Sequence, residues 1–400
     1  MSAPRRPRVA IVDMAVAANS PAGSCVLAEI EGLIDSFDVT VFSDRCEASG
    51  LPGVEFVRVR APAGPVLLRY LVFHLHVALR YLAWRICGGH ADAVQATQGQ
   101  LPGAAICYAH FCHRSYLRHQ WRNGAGSGLR RLSRSAVHRF NAACEALAMR
   151  RARWIVVPSR GLAREIAADY PTQRAKLRVI ANPVDVEHFA RPSQHQRDAM
   201  RRAQGFDARH IVVGFMALGD FERKGLGLLL QALATLGEAE RGALRLLVIG
   251  GQPGEIATYE GLARRLGVDG GVRFVGLQRD VRPFLWSCDS FALPSTYETF
   301  GLAAAQAAAA GLPVLVCDAV HGLEEFVADG RNGWSVPRTC AALAACLTHQ
   351  VAHHELLPTM GRAAAETMEA YARPVFQARW ADTIGAVLRG ESPQHRLEPA

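Results

Sequence analysis

The sequence predicts an α/β protein of two doubly wound domains, each built on a mostly parallel sheet. Short apolar runs without polar alternation recur along the whole chain, as strands buried on both faces do. They alternate with amphipathic stretches of helical length, the pattern of crossover helices covering a parallel sheet. The chain has 400 residues, long for a single core, and half of them are hydrophobic, enough for two.

In the first half, strands are expected at 9–14, 39–43, 54–59, 93–97, 105–108 and 154–158. Helices are expected at 26–36, 66–86, 129–151 and 161–169. Arg5-Arg6-Pro7-Arg8 ahead of VAIVDMAVAA imitates a short signal peptide. Asp13 breaks that apolar run, and 8–12 makes a good first buried strand. Residues 66–87 come nearest to a spanning segment, but Arg69, His74, His76, Arg80 and Arg85 interrupt them; an amphipathic or core helix is expected. Residues 177–180, followed by Asn182-Pro183-Val184-Asp185, read as the last strand and the crossing to a second domain. The polar stretch 191–209 reads as a linker or surface helix. A second βα series starts at 211, with strands at 211–217, 245–249, 272–275, 290–294, 313–316 and 334–336. The expected domains are 1–185 and 186–372, with 390–400 a loose tail.

Charge divides the same way. The net charge is +9. Residues 1–180 hold 24 Lys and Arg against 12 Asp and Glu, a net of +12, which leaves −3 for the rest. Between Ala96 and Arg164 there are 12 Arg, no Lys and one acid, Glu145. Such a block points to an anionic partner: a membrane surface, an acidic acceptor or nucleic acid. The ten cysteines are scattered without a C-x-x-C pair, which reads as buried reduced thiols. His349, His353 and His354 have the spacing of one helix face, read as solvated, and no metal site is expected.

Two strand-to-helix turns carry the chemistry. Residues 211–217, IVVGFMA, run into Leu218-Gly219-Asp220-Phe221-Glu222-Arg223-Lys224-Gly225, and a helix follows at 226–236. Only two of the 45 basic residues are lysine, Lys176 and Lys224. A compact cation beside Arg223 at a helix start suits phosphate oxygens; a capped, solvated helix start is the alternative. Residues 289–316, DSFALPSTYETFGLAAAQAAAAGLPVLV, read as strand, polar loop, helix, Gly break and strand. Glu298 is then a carboxylate at the ligand-facing end of a parallel strand. Phe300, Gly301 and Leu302 would offer backbone N–H groups at the helix start. Gln306 is the only polar side chain between Leu302 and Gly311. In the first half, Gly23 follows the first strand, where glycine permits backbone approach to phosphate, although any βα turn uses one. His110 follows the apolar strand AAICYA and reads as a sugar contact or a surface histidine.

The turns GDFERKG and PSTYETFGLAAAQAAAAGLPV resemble the donor site of retaining glycosyltransferases of family 4, and the resemblance extends over most of the chain. The ERKG turn and the CYAH strand look most like the lipopolysaccharide core glucosyltransferases. The resemblance implies a GT-B fold, with two Rossmann-like domains facing a central cleft and the helix at about 373–389 packing back on the first. It implies that Arg223 and Lys224 hold the diphosphate of a nucleotide-sugar, UDP favoured over GDP, with Gly219 in the same turn. Glu298 matches the sugar-binding first Glu of a Glu-x7-Glu motif. The ribose-binding second Glu is replaced by Gln306, which can bond hydroxyls but not through a carboxylate's charge. His110 matches a histidine often found near the donor sugar, and Ala22-Gly23 stands where the family usually shows a Gly pair. No Asp-x-Asp pair is present, so neither metal nor cofactor is implied.

The resulting expectation is a retaining, metal-independent transferase acting on a glycan or lipid-linked acceptor, cytoplasmic and peripheral on the inner face of the membrane. Arg114, Arg118, Arg130, Arg131 and Arg134, with aromatic and leucine residues interleaved, are the expected membrane or acceptor face; a solvated face is the alternative. Nucleic acid is not the expected partner, because the donor site leaves it no role. Gln306 motivates a second reading, a catalytically weak nucleotide-sugar-binding scaffold or sensor.

Overall fold

The computed structural model describes residues 5–121, 128–318 and 320–393, the side chains of Leu129 and Arg130 excepted. The chain divides into two compact units, Met1–Pro183 with Arg373–Ala400, and Val184–Ala372.

The first unit holds a seven-stranded sheet. Its order is Val54–Arg58, Asp38–Ser43, Arg8–Val12, Ala93–Thr97, Ile106–Tyr108, Trp154–Val157, Leu177–Val179. Every pairing is parallel. The residues that imitate a signal peptide, VAIV, form an interior strand, with Val9 to Val12 fully buried. Parallel strands need crossovers, and the helices at Pro21–Leu33 and Val66–Ile86 supply two of them. The first begins five residues before the expected start, because Ser20 caps it and Pro21 sits in its first turn. The last helix, Arg373–Leu388, returns to this unit and packs on Pro21–Leu33. Gln377 donates to Ala28 O at 3.0 Å, and its stem lies where a side chain at Gly32 would stand. Buried Trp154 ties down the chain's end by donating to Glu391 O at 3.1 Å. Residues 394–400 of the expected tail lie outside the described residues.

The second unit holds a six-stranded sheet in the order Val272–Gly276, Leu244–Gly250, Ile211–Ala217, Ser290–Leu293, Val314–Cys317, Gly333–Val336. It too is wholly parallel. Strand order reverses between Ile211–Ala217 and Ser290–Leu293. Loops leaving adjacent strands at such a reversal diverge and open a crevice at the strands' carboxyl ends. Those are the two strands that carry the GDFERKG turn and the Glu298 loop.

The stretch 191–209 is no loose linker. Ser193 opens a helix, Gln194–Ala203, through a capping box with Gln196. Arg197 and Arg201 on that helix are buried and clamp the Asp289 carboxylate at 2.5 and 2.7 Å. Asp289 also accepts from Val212 N at 2.8 Å. The helix is thereby fastened to both strands of the reversal.

Candidate functional site

The GDFERKG turn is held from three sides. Asp220 sits in the left-handed region, φ 61°, which a short polar side chain tolerates, and its carboxylate takes Arg223 Nε at 2.8 Å. Glu255, on the helix Pro253–Arg265, accepts from Phe221 N at 2.6 Å. Gly225 is left-handed as well, φ 84°, and a Cβ there would stand 2.1 Å from Pro294 O. That close approach lays the turn against the loop that follows Ser290–Leu293. The loop answers with Thr296 N donating to Arg223 O at 2.8 Å, while Arg223 Nη1 donates to Tyr297 O at 2.8 Å.

The two turns meet in an ion pair. Lys224 Nζ lies 2.5 Å from Glu298 Oε1, and Arg223 Nη1 lies 4.0 Å from the same oxygen. Ser295 Oγ donates to Oε1 at 2.8 Å. All three contacts fall on Oε1. The side chains of Glu298 and Lys224 are only 8% and 15% exposed. Burial raises the Glu298 pKa, but Lys224 and Arg223, with the bonds from Lys224 and Ser295, outweigh it and hold the carboxyl below its ordinary value. Burial draws Lys224 below the usual lysine range, and Glu298 opposes that. Two cations, each matched by a carboxylate, therefore stand where two βα turns converge at a strand reversal.

The helix Leu302–Ala309 starts from Gly301 without any side-chain cap. Gly301 is left-handed, φ 84°, and packs so tightly on Leu323 that a Cβ would come within 2.3 Å of it. Leu302, Ala303 and Gln306 form this helix's more open face, while Ala304, Ala305, Ala307 and Ala308 are buried. Gln306 is half-buried and points its amide from that face. The Phe300 ring is buried against Phe326 and Tyr371. Its N–H is crowded: a Cβ on Gly322 would stand 2.6 Å from Phe300 N, so the protein's own backbone approaches the peptide expected to serve the donor.

Gly23 and His110 belong to the first unit. Gly23 N already donates to Ser20 Oγ at 3.2 Å, and a Cβ there would stand 1.8 Å from Ala15 O. Packing of the helix on Ala15–Val16 thus accounts for this glycine without a phosphate. His110 Nε2 is buried and makes no hydrogen bond in the described structure. Burial lowers the imidazole pKa to about 3, so the ring is neutral. With its amide oxygen turned inward, Gln98 accepts from His110 N and Phe111 N at 3.1 and 2.7 Å. An unsatisfied ring nitrogen of this kind suits a ligand hydroxyl.

The expected basic face is partly turned inward. Arg118 pairs with Asp169, and the Arg114 guanidinium lies 5.0 Å over the Tyr170 ring. Tyr116 is buried and stacks on His138 at 4.8 Å, so the aromatics of this stretch pack internally rather than facing outward. Arg131 is exposed, Arg134 half-buried, and the Arg130 side chain lies outside the described residues. Buried Glu145 accepts from His113 N, Arg114 N and Tyr170 Oη, each at 2.9 Å, and so anchors the segment that follows His110.

The family model "Glycosyltransferase Family 4" matches residues 22–188, and "Glycosyl transferases group 1" matches residues 210–353. The chain belongs to glycosyltransferase family 4. It is 32% identical over 198 residues to the D-inositol 3-phosphate glycosyltransferase of Corynebacterium urealyticum, a match covering 48% of this chain and 46% of that protein. The match thus spans about half the length of that relative. It is 27% identical over 314 residues to an uncharacterized glycosyltransferase of Methanocaldococcus jannaschii, covering 76% and 77%. Among solved structures it resembles WaaG, a glycosyltransferase involved in lipopolysaccharide biosynthesis, with TM-score 0.75, 19% identity and coverage of 94% and 99%. It also resembles Anabaena HepE in complex with UDP and glucose, with TM-score 0.68, 20% identity and coverage of 94% and 99%. These likenesses establish the GT-B fold.

The sequence reading passed over Asp220, Glu255, Ser295 and Gln98. Asp220 and Ser295 stand within three residues of the groups they orient. Glu255 lies 34 residues from its partner, with no local signal linking them.

Proposed function

We propose that this chain is a retaining, metal-independent glycosyltransferase that moves a sugar from a nucleoside diphosphate, UDP favoured over GDP, to an acceptor hydroxyl. The acceptor is a glycan or lipid-linked saccharide of lipopolysaccharide, capsule or exopolysaccharide assembly, met at the inner face of the cytoplasmic membrane. The observation that carries the reading is the convergence of Arg223 and Lys224 on Glu298 at the strand reversal of the second unit.

In the reaction the bond from the sugar's anomeric carbon to the diphosphate oxygen breaks, and the acceptor oxygen bonds to that carbon on the same face. Charge builds on the departing diphosphate. Lys224 and Arg223 stand preorganised to stabilise it in a site of low exposure. The departing phosphate oxygen takes the acceptor proton, so no protein base is required. Glu298 fixes Lys224 through Oε1 and presents Oε2 to sugar hydroxyls. Gln306 on the open helix face addresses the ribose, and the neutral His110 ring nitrogen of the first unit is suited to a hydroxyl. The UDP and glucose of the Anabaena structure support the UDP-hexose choice.

A second reading, a nucleotide-sugar-binding scaffold or sensor of weak activity, rests on Gln306 in place of the family carboxylate. One experiment separates the two. Melting temperatures are measured with UDP- and GDP-sugars, and nucleoside diphosphate release is followed in parallel. A bound donor raises the melting temperature. Binding with turnover supports the transferase, binding without turnover supports the scaffold, and neither overturns both. Arg223→Ala should lower turnover by about 10²–10³-fold.

A further inference from the structure

The helix Val66–Ile86 has two apolar faces. One packs into the first unit: Phe73 and Val77 are fully buried, and Tyr81 and Trp84 set their rings edge-on to Phe42 at 5.6 and 5.5 Å. The other faces outward and consists of Leu68, Leu71, Leu75, Leu79, Leu82 and Ile86, which are 43–77% exposed. Their steps of three, four, four, three and four residues follow the period of a straight α-helix, so the stripe stays on one side for its full length. The helix is long and apolar enough to cross a membrane, and its buried residues are Phe73 and Val77. Its buried face and its place as a crossover between two strands of one sheet keep it on the surface of the unit instead.

Charge names what covers the stripe. The helix carries Arg69, Arg80 and Arg85 and no Asp or Glu. Arg69 and Arg80 border the leucines on one side and Arg85 on the other. An apolar strip with cationic edges and no anion is the composition of a helix lying in an anionic lipid interface, the strip among the acyl chains and the guanidinium groups among the headgroups. A second protein helix would instead favour a 3.5-residue seam with mixed charges at its borders.

We propose that Val66–Ile86 is the element by which the chain inserts into an anionic membrane surface, its Leu68-to-Ile86 stripe entering the interface while the opposite face stays in the core. This deepens the membrane part of the functional reading and shifts the contact away from the Arg114–Arg134 stretch, where Arg114 lies over the Tyr170 ring and the half-exposed Arg118 is paired with Asp169.

The test uses the full chain with vesicles of phosphatidylglycerol and phosphatidylcholine, and with vesicles of phosphatidylcholine alone. The wild type should cosediment with the anionic vesicles and lose affinity with added salt. Leu75→Ser/Leu79→Ser should lower the partition coefficient at least about tenfold, because two half-exposed leucines no longer leave water. Arg80→Ala/Arg85→Ala should weaken binding most at low salt. The leucine changes face away from the core, so melting temperature and nucleotide-sugar turnover should hold. If the serine variant melts early, Leu79→Lys alone is read in its place. Full vesicle binding by the leucine variants overturns the proposal. So does loss of binding only on Arg131→Glu/Arg134→Glu, which would leave the membrane reading standing with another contact. Failure of the wild type to bind any vesicle overturns both. A dimer in solution that the leucine variants dissociate, with vesicle binding unchanged, assigns the stripe to a second copy and also overturns it.

Discussion

Replacing Lys224 by methionine leaves Glu298 as a buried carboxylate without its closest cation. Breaking a buried pair by removing one partner costs about 3–5 kcal/mol. Glu298 keeps the Ser295 bond at 2.8 Å and the more distant Arg223 at 4.0 Å, so we expect the low end, about 3 kcal/mol. Glu298→Gln should also be destabilising, since it strands the lysine. The double variant removes both charges from a site of low exposure and should recover most of the loss. The coupling should fall within about 0.5–3 kcal/mol. Urea unfolding of the four proteins gives the cycle. The pH dependence gives a second check. The folded pKa of Glu298 lies below its ordinary value, so its contribution is present above the ordinary carboxylate range and disappears as pH falls through the lowered folded pKa. Acidification should therefore narrow the gap between the wild type and Lys224→Met. Turnover behaves differently: both Lys224 variants should stay down by about 10²–10³-fold, because the leaving-group cation is absent from each. A Lys224→Met protein within about 0.5 kcal/mol of wild type would show that the pair does not hold the turn together. Recovery of turnover in the double variant would refute the leaving-group role.

Chelation with EDTA should leave donor turnover unchanged, and inactivation reversed by magnesium or manganese would reveal a metal role. Gln306→Glu should keep its melting temperature, since the side chain lies on the open face of its helix, and should hold or tighten donor affinity through charge-assisted bonds to ribose. Loss of both would make Gln306 structural. Burial pushes the Glu145 carboxyl up to about 7, so the folded state holds its proton more tightly than the unfolded chain. Its contribution is complete below the ordinary carboxylate range and is lost, about 3 kcal/mol at most, as pH rises through about 7. Melting temperature should accordingly fall between pH 5 and 8 in the wild type, and a Glu145→Gln variant with the same slope would contradict this.

The strands were legible because parallel strands buried on both faces need not alternate, so short unbroken apolar runs such as IVVGFMA mark them, and in VAIV it took Asp13 to separate a strand from a signal peptide. The polar stretch 191–209 was read only in part, for a physical reason. Arg197 and Arg201 resemble surface charges locally, and only their partner Asp289, some 90 residues away, makes them internal. The site shows the same limit. Arg223, Lys224 and Glu298 stand out because unusual residues occupy strand-to-helix turns. Glu255 sits unremarkably on a helix and becomes part of the site only when the sheet brings its strand beside Ile211–Ala217. Gly23 illustrates the reverse. A glycine at a βα turn signals close approach, but the sequence does not say of what, and here it is the Ala15 carbonyl.

Periodicity has the same ambiguity on a larger scale. In Val66–Ile86 the positions Phe73, Val77, Tyr81 and Trp84 repeat at helical spacing, as do Leu68, Leu71, Leu75, Leu79, Leu82 and Ile86. From the sequence alone either set serves as a core face, and the arginines between them read as interruptions of one apolar segment. Once the aromatic set is placed against Phe42, the aliphatic set must face away, and the arginines become its borders. Leaving six large aliphatic side chains in water has no folding benefit, because their burial is what would stabilise the unit. The basic excess of the first half then acquires a location. It need not reside in the Arg114–Arg139 block alone. Under the proposed insertion, three arginines beside an outward leucine stripe would orient the unit toward an anionic surface, and removing the leucines while keeping the arginines distinguishes insertion from charge attraction alone.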